Sequence, residues 1–283
     1  MRRHIHGIDH AVIAVSDLDA ARDAFARMGF VVTPRGHHTL GSQNHCVMFG
    51  DDYLELLSVP PVPHPWARPF SEFLAAGDGL AALALRTDGA REAYTELLWA
   101  GFEPADPVEF SRPVPSPAGA PEAAREARFR IVQLASGRTP GARVFACEHL
   151  TRDAVWRPEY CAHPNGAVGL AAVALVASDV AAAARPYARL FDSPARAIAE
   201  GLLVETGSAP LAIATAESLA RRLRGVRLNA RPMPWLAALF IRVADREAAA
   251  DALATGGMAP VALPDGSVAV GADRGHGVAV VFG

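Results

Sequence analysis

A histidine sits inside an apolar run at G-I-D-H-A-V-I-A-V-S-D, Gly7 to Asp17, and a glutamate sits inside another at D-Y-L-E-L-L-S-V, Asp52 to Val59. A third stretch, F-A-C-E-H-L from Phe145 to Leu150, carries a second glutamate beside a second histidine. In a strand alternate side chains share a face, so Ile8, His10, Val12 and Ala14 point one way, while Tyr53, Glu55 and Leu57 lie opposite Leu54 and Leu56. An unpaired carboxylate in such apolar surroundings costs roughly several kcal/mol, so Glu55 needs a partner cation, a proton of its own or a water-filled cavity. Aligning Ala146-Cys147-Glu148 on Tyr53-Leu54-Glu55 puts Glu148 at the matching position and turns His149 outward. One imidazole and two carboxylates are hard, oxygen-rich donors suited to Mn²⁺ or Mg²⁺, and the imidazole also admits Zn²⁺, Ni²⁺ or Fe²⁺.

The elements that must position these residues repeat. An apolar run ending in a polar residue and Asp, an alanine-rich stretch, and a small-to-apolar step recur from Gly7, Gly79, Gly169 and Trp235. The apolar runs read as buried strands, and Ser16-Asp17, Thr87-Asp88 and Ser178-Asp179 offer oxygens to the free amides of a following helix. Gly29, Gly101 and Gly257 can close those helices. Three extended segments then follow each helix. In the first copy these are residues 31–35, 44–50 and 52–59; in the second, 108–114, 128–134 and 143–150; in the third, 196–199, 202–206 and 211–215; in the fourth, 261–263, 267–271 and 277–282. The pattern predicts an α+β chain of four βαβββ modules. A doubly wound parallel sheet needs a helix after nearly every strand, and no G-x-G-x-x-G turn opens a helix.

Pro60 to Pro69 is a stiff connector between the first two copies, and Thr151 to Gly166 separates the second from the third. The expected division is an N-terminal domain over 1–150, a linker over 151–166 and a C-terminal domain over 167–283. The Pro- and Ala-rich stretch Pro113 to Ala124 reads as a long loop placed to act as a lid.

Composition narrows the function. The 283 residues are 51% hydrophobic and 20% charged, enough for a sizeable core. A net charge of −3 gives no basic stripe for nucleic acid. All 27 basic residues are arginine, so Schiff-base catalysis, a pyridoxal-phosphate anchor and a Walker-type phosphate loop are excluded. Three cysteines far apart argue against a disulfide framework or a thiolate zinc site and suit a reducing compartment. The longest apolar stretch, Ala167 to Ala177, is too short to cross a bilayer, and a cytoplasmic protein is expected.

The paired βαβββ modules, with G-I-D-H-A-V-I-A-V-S-D-L-D-A-A, M-G-F and Y-L-E-L-L, resemble the vicinal oxygen chelate superfamily and its glyoxalase-like members. The resemblance implies that two modules form an incomplete barrel of eight strands, with a divalent metal inside held by residues of the modules' first and last strands. On that basis His10, Glu55 and Glu148 are the expected metal ligands, and Glu55 and Glu148 the expected catalytic acids or bases. The family histidine on the second module's first strand is replaced by Ala82, which weighs against ring-cleaving dioxygenase chemistry. Ala172, Ala238 and Ile213 leave the second half without donors, as a degenerate copy.

Two functions follow from the resemblance. The favoured one is a divalent-metal-dependent isomerase or lyase that chelates a small oxygenated metabolite through adjacent oxygens, with Glu148 as the metal-linked base. The alternative is a metal-free binding or sequestering protein like the drug-resistance members. Either acts on a small molecule, as a monomer or a homodimer.

Each residue also has an ordinary reading. His10 can be satisfied by Asp9 or backbone, Glu55 can pair with an arginine such as Arg130, and a one-residue slip would turn Glu148 out and His149 in. His37-His38 lie in an expected turn, the face of His45 is open, His163 falls in the linker, and Trp66 and Trp156 read as packing anchors.

Overall fold

The computed structural model describes residues 2–61, 64–114 and 125–283. The first module is β1 (Ile8–Ala14), α1 (Leu18–Arg27), β2 (Gly36–His37), β3 (Gln43–Met48) and β4 (Tyr53–Ser58). Helix α2 (Arg68–Leu74) leads into β5 (Gly79–Arg86), α3 (Ala90–Trp99), β6 (Val108–Val114), β7 (Arg125–Gln133) and β8 (Arg143–His149). After the short α4 (Arg152–Val155) come β9 (Ala167–Val176), α5 (Val180–Phe191), β10 (Arg196–Ile198), β11 (Gly201–Val204) and β12 (Leu211–Ala214). Helix α6 (Ala216–Arg222) precedes β13 (Trp235–Val243), α7 (Arg246–Thr255), β14 (Val261–Ala262), β15 (Val268–Val270) and β16 (Ala279–Phe282). The βαβββ order thus occurs four times, in two mixed eight-stranded sheets ordered β2-β3-β4-β1-β5-β8-β7-β6 and β10-β11-β12-β9-β13-β16-β15-β14.

The local causes are those written in the chain. Asp17, Asp179 and Asp245 cap α1, α5 and α7 by accepting from backbone amides of the first turn. Helix α3 differs: its N-cap is Gly89, which offers no side chain, and Asp88 is turned to His4 and His6 instead. The expected strand at 31–35 is not formed. Pro34 has no amide to give a ladder, the Val31 N–H is taken by His163 Nδ1, and pairing begins only at Gly36. Pro113 and Val114 end β6, an edge strand where proline is tolerated, and the remainder of the expected lid, 115–124, lies outside the described residues.

Each sheet has two apolar faces. The helix-bearing faces of both sheets share one core, in which Phe25, Phe30, Phe49 and Phe102 of the first half meet Tyr187, Phe191 and Phe282 of the second. Phe30 and Phe282 have ring centroids 5.5 Å apart. The other face of the second sheet is filled by small residues such as Ala174, Ala214, Ala238 and Ala279 packed with Leu219 and Leu223 of the α6 region. The other face of the first sheet carries Val12, Cys46, Tyr53, Phe129, Phe145 and Cys147 and borders the cavity described next.

Candidate functional site

Strand register decides which side chains meet. Strand β1 runs parallel to β4 with His10 opposite Tyr53 and Val12 opposite Glu55, and antiparallel to β5 with His10 opposite Ala84. His10 and Glu55 therefore emerge on the same concave face. His10 Nδ1 donates to Asp9 Oδ2 at 2.7 Å, which leaves Nε2 facing Glu55 Oε2 at 3.7 Å. Asn44 Nδ2 donates to Glu55 Oε1 at 2.7 Å, and the Tyr53 ring stacks on His10 at 4.2 Å between centroids.

Behind His10 lies a second imidazole. His149 Nε2 donates to the same Asp9 Oδ2 at 2.9 Å, and Arg86 Nε stands 3.6 Å from Asp9 Oδ1. Burial alone pushes the Asp9 carboxyl up, but the charges and hydrogen bonds of His149 and His10 outweigh it and hold the group well below the usual carboxylate range. Among the described residues Asp9, His10 and His149 are the three metal-donor side chains whose ligand atoms come within 4.8 Å of one another. Asp9 is fully buried and does not line the cavity that His10 borders, so it positions His10 rather than facing a ligand.

Glu148 is not with them. Strand β8 pairs with β5 so that Arg143 stands opposite Ala82 and Phe145 opposite Ala84. Tyr53 stands opposite His10, the counterpart of Ala82, so Tyr53 corresponds to Arg143 and Glu55 to Phe145. The sequence alignment was three residues out of register, and Phe145 fills the place expected for Glu148. Glu148 points to the helix side of the sheet, where Oε2 accepts from Arg130 Nη1 at 3.2 Å and from the Ala90 amide at 3.1 Å. It supplies the cap that Gly89 cannot. Arg130, weighed as a partner for Glu55, is thus the partner of Glu148, and His149 is the neighbour that turns inward, toward Asp9.

The cavity beside His10 and Glu55 is narrow, with about 30 Å³ open to water-sized molecules. One wall is an aromatic ladder in which Trp66 stacks on Phe110 at 6.1 Å and Phe110 on Phe129 at 5.1 Å. Phe70, Phe145, Leu57 and Ile131 complete the apolar lining. Cys46 and Cys147 also border it; burial pushes the Cys46 thiol up to about 12 and raises that of Cys147 well above the usual thiol value, so neither is a thiolate at neutral pH.

Several cavity residues were not singled out by the sequence. His38, expected in a turn, is buried: Asn44 Nδ2 faces its Nε2 at 3.4 Å, its Nδ1 donates to Ser42 Oγ at 2.8 Å, and burial lowers its pKa to about 3. Arg112 and Trp66 border the cavity too. Arg112 lies on an edge strand between Ser111 and Pro113, where nothing in the pattern marks it as inward. His45 faces away and donates to the Thr33 carbonyl at 2.7 Å, while His163 clips the Val31 amide to the Met48 carbonyl.

A family model described as a glyoxalase-like domain matches residues 8–191, about two thirds of the chain. The chain belongs to that family. Solved structures match the fold over nearly the whole chain. A hypothetical protein from Staphylococcus aureus is similar at 11% identity and a TM-score of 0.66, with 98% of each chain covered. A mutant 4-hydroxymandelate synthase from Streptomyces coelicolor is similar at 17% identity and TM-score 0.64, covering 99% of this chain and 92% of that one. A xylose isomerase-like TIM barrel/4-hydroxyphenylpyruvate dioxygenase fusion protein gives 13% identity and TM-score 0.61, with 98% of this chain covering 48% of the fusion. At these identities the likeness is one of fold. No curated protein matches. In this glyoxalase-like protein of the vicinal oxygen chelate superfamily, Ala82 and Phe145 stand at the second module's counterparts of His10 and Glu55. None of its described helices is long and apolar enough to cross a membrane.

Proposed function

We propose that the N-terminal barrel is the site of a divalent-metal-assisted isomerase or lyase reaction on a small oxygenated metabolite, with His10 and Glu55 as the protein's metal donors. The observation that carries this reading is the approach of His10 Nε2 to Glu55 Oε2 at 3.7 Å inside an apolar cavity. Two lone pairs so placed require a shared cation, and an imidazole whose far nitrogen is bonded to a buried carboxylate has the support usual for a metal-ligating histidine. The donor types fit Mn²⁺, Zn²⁺, Ni²⁺, Mg²⁺ or Fe²⁺. When bound, such an ion would polarise a substrate carbonyl and favour loss of a neighbouring proton. The chain's own residues do the rest. Asp9 fixes the His10 ring, Asn44 holds Glu55 Oε1 and leaves Oε2 turned to the cavity, and the aromatic wall excludes water.

A metal-free binding protein is the second reading, favoured by Ala82 and Phe145 in place of the related donors. There the shared cation is a proton, and His10 and Glu55 form an ion pair. Thermal shifts of chelator-stripped protein with Mn²⁺, Zn²⁺ and Ni²⁺ separate the two. The metal reading expects stabilisation of the wild type that is lost in His10→Ala and in Glu55→Gln. No shift in the wild type, or equal shifts in all three proteins, overturns it.

A further inference from the structure

Two polar donors at the cavity beside His10 have nothing to donate to among the described residues. Arg112 is only 7% exposed, borders the cavity, and its Nε finds no acceptor among the described residues. No carboxylate among the described residues stands within ion-pair distance of its guanidinium, although 30 acidic residues are spread along the chain. Trp66 lines the same cavity, and its indole Nε1 is buried and equally without a partner. An unpartnered buried arginine is costly, since removing a charge from water is offset only by a counter-charge or by hydrogen bonds. Two orphan N–H donors in one cavity call for acceptor oxygens that the described residues do not supply.

We infer that Arg112 and Trp66 form the anion subsite of this cavity, and that the ligand is a small carboxylate with an apolar, planar body. The aromatic ladder of Trp66, Phe110 and Phe129 presents ring faces to such a body. Charge also orders the ligand in the cavity. Its carboxylate is drawn to Arg112, while Glu55 repels a second negative charge, so the uncharged oxygens are left for the His10 end. Arg112 is held in this place by strand pairing: β6 sets it opposite Ala127, whose small side chain leaves room, and a Cβ added at Gly36 would come within 2.8 Å of Arg112 Cδ.

The inference uses the cavity of the proposed reaction but not its metal. The test is titration calorimetry of the full-length chain in chelator, with benzoate, phenylacetate and cinnamate against their uncharged amides. Carboxylates are expected to bind at least about tenfold more tightly than the amides, as a charge-assisted contact to a buried arginine requires. Arg112→Gln is expected to remove that preference, and because every titration is run in chelator, loss of the metal reading leaves this one standing. Arg112→Lys, which keeps the charge, checks the result should the glutamine variant unfold, and is expected to retain a preference for carboxylates. Equal binding of acids and amides by the wild type, no binding of any of the six, or an unchanged preference in Arg112→Gln overturns the inference.

Discussion

Glu55 on β4 and Phe145 on β8 occupy the same place in their two modules, each one strand away from the module's own first strand. The first supplies a carboxylate to the cavity and the second a ring, so the barrel has a polar end and an apolar end where a symmetric pair of modules would have donors on both.

Under the metal reading, a carboxylate at Phe145 gives a direct prediction. Phe145→Glu places a second carboxylate on the cavity wall beside Ala84. Without metal the variant is expected to lose about 2–4 kcal/mol of stability, from the lost ring and a buried charge. With Mn²⁺ or Zn²⁺ it is expected to regain much of that loss and to bind the ion at least about tenfold more tightly than the wild type. Denaturation with and without the ion measures both.

Glu148→Ala tests the corrected placement. The change removes the acceptor for the Ala90 amide and a partly exposed pair with Arg130, and is expected to cost about 1 kcal/mol in urea denaturation. Metal-induced thermal shifts and carboxylate binding are expected to be unchanged. A variant of normal stability that had lost the metal shift would return Glu148 to the site.

Asp52 makes stability depend on pH in an unusual direction. It is buried with Oδ1 accepting from the Leu170 amide at 3.0 Å, and burial is the largest influence in raising its pKa to about 6 from an ordinary value of 3.8. Between about pH 4 and pH 6 the folded state keeps a proton that the unfolded chain has released, so this group's contribution becomes less favourable as pH rises through that window. Asp52→Asn keeps an acceptor for Leu170 without the charge. Its stability relative to wild type is expected to be near zero at pH 4 and to grow to on the order of 2–3 kcal/mol at pH 7. A difference that stays flat with pH would contradict the assignment.

Gly256 marks where the two halves are pressed together. A Cβ there would lie 1.7 Å from the Arg27 carbonyl oxygen, so Gly256→Ala must displace the end of α7 from the end of α1. A loss of about 2–3 kcal/mol is expected. Because Phe30 and Phe282 belong to one core, the loss is expected in a single transition, with tryptophan fluorescence and far-ultraviolet dichroism coinciding.

The repeat was legible because each module is built from short-range rules. Aspartates before alanine-rich stretches cap α1 and α5, glycines close helices, and apolar runs become strands within three residues of their expected ends from Val108 onward. The exceptions are places where a distant group intervenes. His163 takes the Val31 amide and displaces the first strand after α1, and Glu148 replaces the cap missing before α3.

The sequence by itself determined the four modules and which residues of β1 and β4 share a face, since a period of two fixes that, while the meeting of His10 with Glu55 was implied by the family resemblance. Only the tertiary structure decided that Phe145 rather than Glu148 answers Glu55, that Asp9 holds two histidines, and that Arg112, Trp66 and His38 border the same cavity. Strand register is set by ladder hydrogen bonds between segments far apart in the chain. A slip of one residue reverses the face of every side chain, so no local pattern fixes it.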